Sequence, residues 1–159
     1  ILGGAEVAGF NPQVFDRAVV SALFDLSMKK GKPDRYGHRA IIIGDPAGGL
    51  IDLLPDDVQA YRGSRTSPVL LSGKMAQVIR LRLKAEKAGD LALPEPRELE
   101  NECGRFTLNV IRENGWITLE RKLKLNKSRV DPEAWPQLRD LILEEKDPAN
   151  RTIYIKQAK

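Results

Sequence analysis

One cysteine and one histidine bound the nucleophilic chemistry open to this chain of 159 residues. A cysteine nucleophile needs a nearby base and a third group that orients the base. Cys103 lies in Glu102-Cys103-Gly104, inside a predicted strand or turn, and His38 lies in a charged loop over 29–39. Nothing in the order of elements brings the two together, so a packing role for the thiol is expected. A single Cys excludes an internal disulfide, and the pair falls short of the roughly four ligands that structural zinc takes. No metal and no cofactor is expected.

Other candidates carry weaker chemistry. Gly44-Asp45-Pro46-Ala47-Gly48-Gly49 is glycine-rich, but it lacks the Lys-Ser/Thr that completes a phosphate loop, and it reads as a turn. Asp45, Asp52, Asp56 and Asp57 do not follow an EF-hand spacing. Glu98, Glu100 and Glu102 alternate, which puts carboxylates on one strand face. Such carboxylates can do acid–base work. Here Arg105, Arg121 and Lys122 stand ready as cross-strand charge partners. Arg80, Arg82, Lys84 and Lys87, with Lys122, Lys124, Lys127 and Arg129, could form a basic face for phosphates. Few aromatics accompany them, so a base-stacking platform is not evident. Outward charge also keeps sheet edges from aggregating. Arg80, Arg82, Lys84, Arg121 and Lys122 are the candidate binding residues.

The composition suits one domain or two small ones, with 42% hydrophobic and 30% charged residues. No apolar run reaches the length of a membrane-spanning helix. The net charge is +4, shared evenly: 10 basic against 8 acidic residues over 1–80, and 16 against 14 over 81–159. Nucleic-acid binding would favour a cluster instead. The chain opens at Ile1, without a signal peptide, and is expected to be an excised piece of a longer protein.

The elements that must position these groups are mostly strands. Asn11-Pro12 predicts a helix start, with Val14, Phe15, Ala18, Val19, Ala22, Leu23 and Leu26 as its apolar stripe and Gly31 as its stop. A strand over 18–24 competes. Short strands are expected over 40–43, 50–54 and 69–71, and a linker over 61–67. Residues 78–83 alternate Val, Arg and Arg with Ile, Leu and Leu, the period of a strand with one wet face. Two alternating runs flank Asn114-Gly115, which predicts a hairpin of 106–113 with 116–125 about a type I′ turn. Asp131-Pro132-Glu133 starts a helix whose Trp135, Leu138, Leu141 and Ile142 should dock on the sheet. A last strand follows over 152–156.

The order of these features resembles a known family. Arg65-Thr66-Ser67-Pro68-Val69-Leu70-Leu71, Leu93-Pro94, Gly104-Arg105-Phe106 and the Asn-Gly hairpin lead to Leu119-Glu120-Arg121-Lys122-Leu123, Trp135-Pro136-Gln137-Leu138-Arg139 and Arg151-Thr152-Ile153-Tyr154-Ile155. This looks like the C-terminal β-sandwich module of bacterial transglutaminase-like proteins, whose papain-like core is flanked by β domains of unknown function. Trp135 stands where that family has Tyr. The resemblance implies a Cys-His-Asp triad upstream of the module. Here His38 precedes Cys103, the wrong order, and Arg17 would stand in place of the histidine, so no catalytic residue is carried over.

The expected protein is mostly β (α+β). A mixed α/β N-terminal segment spans 1–64, and an antiparallel β-sandwich with one packed helix spans 65–159. The resemblance implies a non-catalytic accessory or protein-binding module of a periplasmic or extracellular protein, with a neighbouring domain or protein as partner. A nucleic-acid-binding domain is the second reading and a Cys103 enzyme the third.

Overall fold

A computed structural model describes residues 5–8, 13–16, 19–21, 25–28, 38–42, 54, 58, 60–71, 73–84 and 91–156. The chain is mostly β, with antiparallel sheets and one α-helix among the described residues. Its centre is a four-stranded sheet in the order β7 (Met75–Lys84), β11 (Trp116–Leu125), β10 (Gly104–Glu113), β9 (Arg97–Asn101).

The expected hairpin is its spine. Glu113 pairs with Trp116 and Gly104 with Leu125, so β10 and β11 run in register through a two-residue loop. Asn114 and Gly115 both have positive φ, 50° and 77°, as the type I′ turn requires. Alternation then sorts the faces. Phe106, Leu108, Ile117, Leu119, Leu123 and Leu125 point into the core, while Arg105, Lys122 and Lys124 face solvent. At the far end a Cβ on Gly104 would collide with the Lys124 carbonyl, so only glycine lets these two backbones approach so closely.

Helix α1 (Trp135–Lys146) covers the apolar face. Pro132–Ala134 form a single 3-10 turn before it, and the Ala134 N–H donates to the Asp131 carbonyl at 3.0 Å. Asp131 does not cap through its side chain; its carboxylate takes Arg129 Nε at 2.8 Å instead. Trp135, Leu138, Leu141 and Ile142 are buried against the sheet, as their spacing predicts. After the helix, buried Asn150 donates to the Glu144 carbonyl at 2.8 Å, which satisfies one of the carbonyls a helix leaves open at its C-terminus.

Two smaller sheets complete this core. β13 (Thr152–Lys156) pairs on one side with β5 (His38–Ile42) and on the other with β8 (Leu91–Ala92), and it buries Ile153. His38 and Arg39 therefore belong to a strand, not to the expected charged loop. β6 (Val69–Leu70) pairs with β12 (Arg129–Val130), burying Val69 and Val130. The expected linker over 61–67 lies against α1. Trp135 Nε1 donates to the Arg62 carbonyl at 2.9 Å, Arg139 Nε to the Ala60 carbonyl at 2.7 Å, and Arg65 stands 5.3 Å from the Trp135 ring centre.

The expected helix from Asn11 to Gly31 is corrected. β2 (Gln13–Asp16) pairs with β3 (Val19–Ser21), and β1 (Ala5–Ala8) pairs with β4 (Asp25–Met28). Val14, Phe15, Val19 and Val20 are β-branched or aromatic, types that lose rotamer freedom in a helix and pack well on a pleated sheet. Asn11-Pro12, Gly31, the 44–49 turn, Asp45, Asp52, Asp56, Asp57 and Lys87 lie outside the described residues.

Candidate interaction surface

The outer face of the four-stranded sheet carries most of the charge that the sequence offers for binding. On β7 the exposed positions are Ala76, Val78, Arg80 and Arg82. Register sets Arg80 beside Glu120, Arg82 beside Thr118, and Val78 beside Lys122. Arg80 Nε donates to Glu120 Oε2 at 3.0 Å, and Lys122 Nζ reaches Glu120 Oε1 at 2.5 Å. Glu120 is thus clasped between two cations, and hydrogen bonds from Lys122 and then Arg80 hold its carboxyl below the usual carboxylate range. The Arg82 guanidinium lies over the Trp116 ring, 4.3 Å from its centre, a cation–π contact near the hairpin tip.

The other half of this face is balanced or acidic. Arg105 Nη2 donates to Glu98 Oε1 at 2.6 Å, and its Nε lies 3.5 Å from Glu100 Oε2. These are the cross-strand partners that the Glu98–Glu100 alternation calls for. Glu102 lies in the turn after β9, where its Oε2 accepts from Lys127 Nζ at 3.1 Å.

Of the five candidate binding residues, Arg80, Arg82 and Lys122 share this surface. Lys84 pairs through its backbone with Trp116 at the hairpin end. Arg121 is corrected: it faces inward, between Leu119 and Leu123, with 3% of its side chain exposed. Its Nη2 donates to the Glu145 carbonyl at 2.9 Å and to the Glu145 carboxylate, which is equally buried. Glu145, the partner of Arg121, was not singled out by sequence reasoning. Its spacing from Leu138, Leu141 and Ile142 was the available signal, because it continues their face.

The thiol is a core group. Cys103 is buried, its Sγ 3.6 Å from the Ala134 carbonyl and its N–H bonded to Asn101 Oδ1 at 2.9 Å. Burial pushes its pKa above the ordinary 9.0, which disfavours the nucleophilic thiolate. Among the described residues no group of His, Cys, Asp and Glu could hold a metal ion. A cavity by Gln77, Ile79, Arg121 and Glu145 measures about 10 Å³, room for about one water and no substrate. No described helix is long and apolar enough to cross a membrane.

Comparison with known proteins gives a family and a similar fold. Residues 53–155 match the family DUF3858, a domain of unknown function with a solved structure. The chain also resembles the crystal structure of a "putative protease" from Parabacteroides distasonis, with a TM-score of 0.65 at 17% sequence identity. The similarity covers 77% of this chain and 24% of that one, so the chain spans only a minor part of that protein's length. No curated protein matches it.

Proposed function

We propose, from the premise that the chain belongs to the DUF3858 family, that it is a non-catalytic accessory module. Its parent would be a longer, transglutaminase-like protein of the cell envelope, periplasmic or extracellular. The module works by packing against a neighbouring domain or by holding a protein partner.

The observation that carries this reading is the lopsided overlap with the Parabacteroides protein. Most of this chain corresponds to about a quarter of that chain. A fold that recurs as a minor part of a longer chain behaves as a unit docked to others. The site chemistry points the same way. The thiol of Cys103 is buried and held protonated, and Arg80, Lys122 and Arg105 on the outer face of the sheet are paired with Glu120 and Glu98. That pairing also weakens the nucleic-acid reading, because paired cations release fewer counterions from phosphates.

The test uses the whole parent protein, assayed for thiol-dependent amide hydrolysis and amine transfer. Cys103→Ser is expected to leave both activities unchanged, while cross-links form between the module's surface lysines and a neighbouring domain or partner. Loss of activity in Cys103→Ser with unaltered circular dichroism would overturn the non-catalytic reading. Absence of any cross-link from the module would overturn the packing role.

A further inference from the structure

We propose that Asn114 is a modification site: it converts to isoaspartate by intramolecular ring closure, and the folded hairpin holds that reaction back. Of the six asparagines in the chain, Asn114 alone is followed by glycine. Asn11, Asn101, Asn109, Asn126 and Asn150 precede Pro, Glu, Val, Lys and Arg, whose side chains crowd the backbone nitrogen that must attack. At Gly115 nothing stands within 4 Å of the place a Cβ would take, and both loop residues are exposed. The strand ladder closes at the Glu113–Trp116 pair, so the Gly115 N–H lies outside it.

In the reaction hydroxide takes the Gly115 N–H proton, and the nitrogen attacks Cγ of the Asn114 amide. The N–Cγ bond forms, the Cγ–Nδ2 bond breaks, and the amino group leaves as ammonia after taking a proton from water. Water then opens the cyclic imide at either carbonyl. One product is aspartate. The other is isoaspartate, whose main chain runs through Cβ and Cγ and is one carbon longer. Ring closure needs the Gly115 nitrogen on the same side as the Asn114 Cβ. A type I′ turn mirrors type I, so its first residue, here Asn114 at φ 50°, takes ψ of about +30°. That angle turns the nitrogen away from Cβ, and the Glu113–Trp116 pair keeps it there. Ring closure therefore waits for the tip to open, and its rate follows the open fraction. The longer isoaspartate chain no longer fits a two-residue loop between Glu113 and Trp116, so register at the tip is lost. β10 and β11 are the two central strands of their sheet, so the change strikes its spine.

The test incubates the full chain at mildly alkaline pH, folded or unfolded in urea. Conversion is mapped by peptide mass spectrometry, and isoaspartate is read with isoaspartyl methyltransferase. Asn114 is expected to convert before every other asparagine, and about tenfold or more faster in urea than in the folded protein. Trp116→Ala removes the ring that Arg82 covers beside the tip, and should speed conversion in the folded state. The purified isoaspartate form should exchange the β10 and β11 amides next to the loop faster than the parent. Asn114→Asp, which adds the carboxylate without the extra carbon, should exchange them at nearly the parent's rate, because Asp tolerates positive φ. Equal conversion in folded and unfolded protein, earlier conversion at another asparagine, or parental exchange in the isoaspartate form would each overturn the proposal. Should Trp116→Ala fail to fold, the comparison of folded with unfolded parent still decides.

Discussion

Arg121 of β11 and Glu145 of α1 form an ion pair inside the core, each side chain 3% exposed. The guanidinium also donates to the Glu145 carbonyl at 2.9 Å, so one side chain meets a carboxylate and the helix C-terminus together. The negative end of a helix favours a cation there. The contact sets where the last turn of α1 lies on the sheet. Removing one partner leaves a buried charge uncompensated, so Glu145→Leu or Arg121→Met alone should cost about 3–5 kcal/mol. The double variant should recover much of that loss, measured as the urea midpoint. Arg121→Lys should not substitute, because an ammonium cannot present the same planar fork.

Gly104 is the tightest point of the hairpin. Gly104→Ala forces a Cβ against the Lys124 carbonyl, a backbone atom that cannot rotate away. A loss of about 1–3 kcal/mol is expected from such overpacking, read from chemical unfolding. A midpoint equal to the parent's would show that the two strands can part at no cost.

The Asn114-Gly115 loop depends on left-handed backbone. Gly115, at φ 77°, has open space around its missing Cβ, so Gly115→Ala tests conformation alone. About 1 kcal/mol of stability should be lost through that strain. Asn114→Val should cost more, because a β-branched residue tolerates positive φ poorly.

Cys103 gives a prediction at alkaline pH. Its folded pKa is raised, so the folded state holds the thiol proton more tightly than the unfolded state. Stability from this group is complete below the ordinary value of 9.0 and declines as pH rises through the folded value. Native protein should react slowly with iodoacetamide near pH 8 and quickly once unfolded in urea. Rapid native labelling at that pH would contradict the buried placement.

Glu120 works in the opposite direction. Its pKa is lowered by Lys122 and Arg80, so the stability it contributes is present above 4.5 and is lost as pH falls through the folded value. Glu120→Gln should flatten the acid limb of the stability curve. Because both cations are well exposed, added salt should flatten it as well.

The local rules were legible wherever one short stretch could satisfy them. Asn114-Gly115 determined its hairpin because the turn needs only its own two residues. The Trp135, Leu138, Leu141 and Ile142 stripe determined the buried face of α1, and alternation in β10 and β11 determined which residues go inside. The N-terminal strands were not legible, since the apolar run around Ala18 to Leu26 fits either period. Arg121 shows the deeper limit. Its alternation places it on the apolar face, yet its charge suggests the surface, and nothing within β11 resolves that conflict. Glu145 resolves it, and it lies 24 residues away on another element. Which long-range groups meet is decided only when α1 folds back over the sheet, because a buried charge is tolerable only beside its partner.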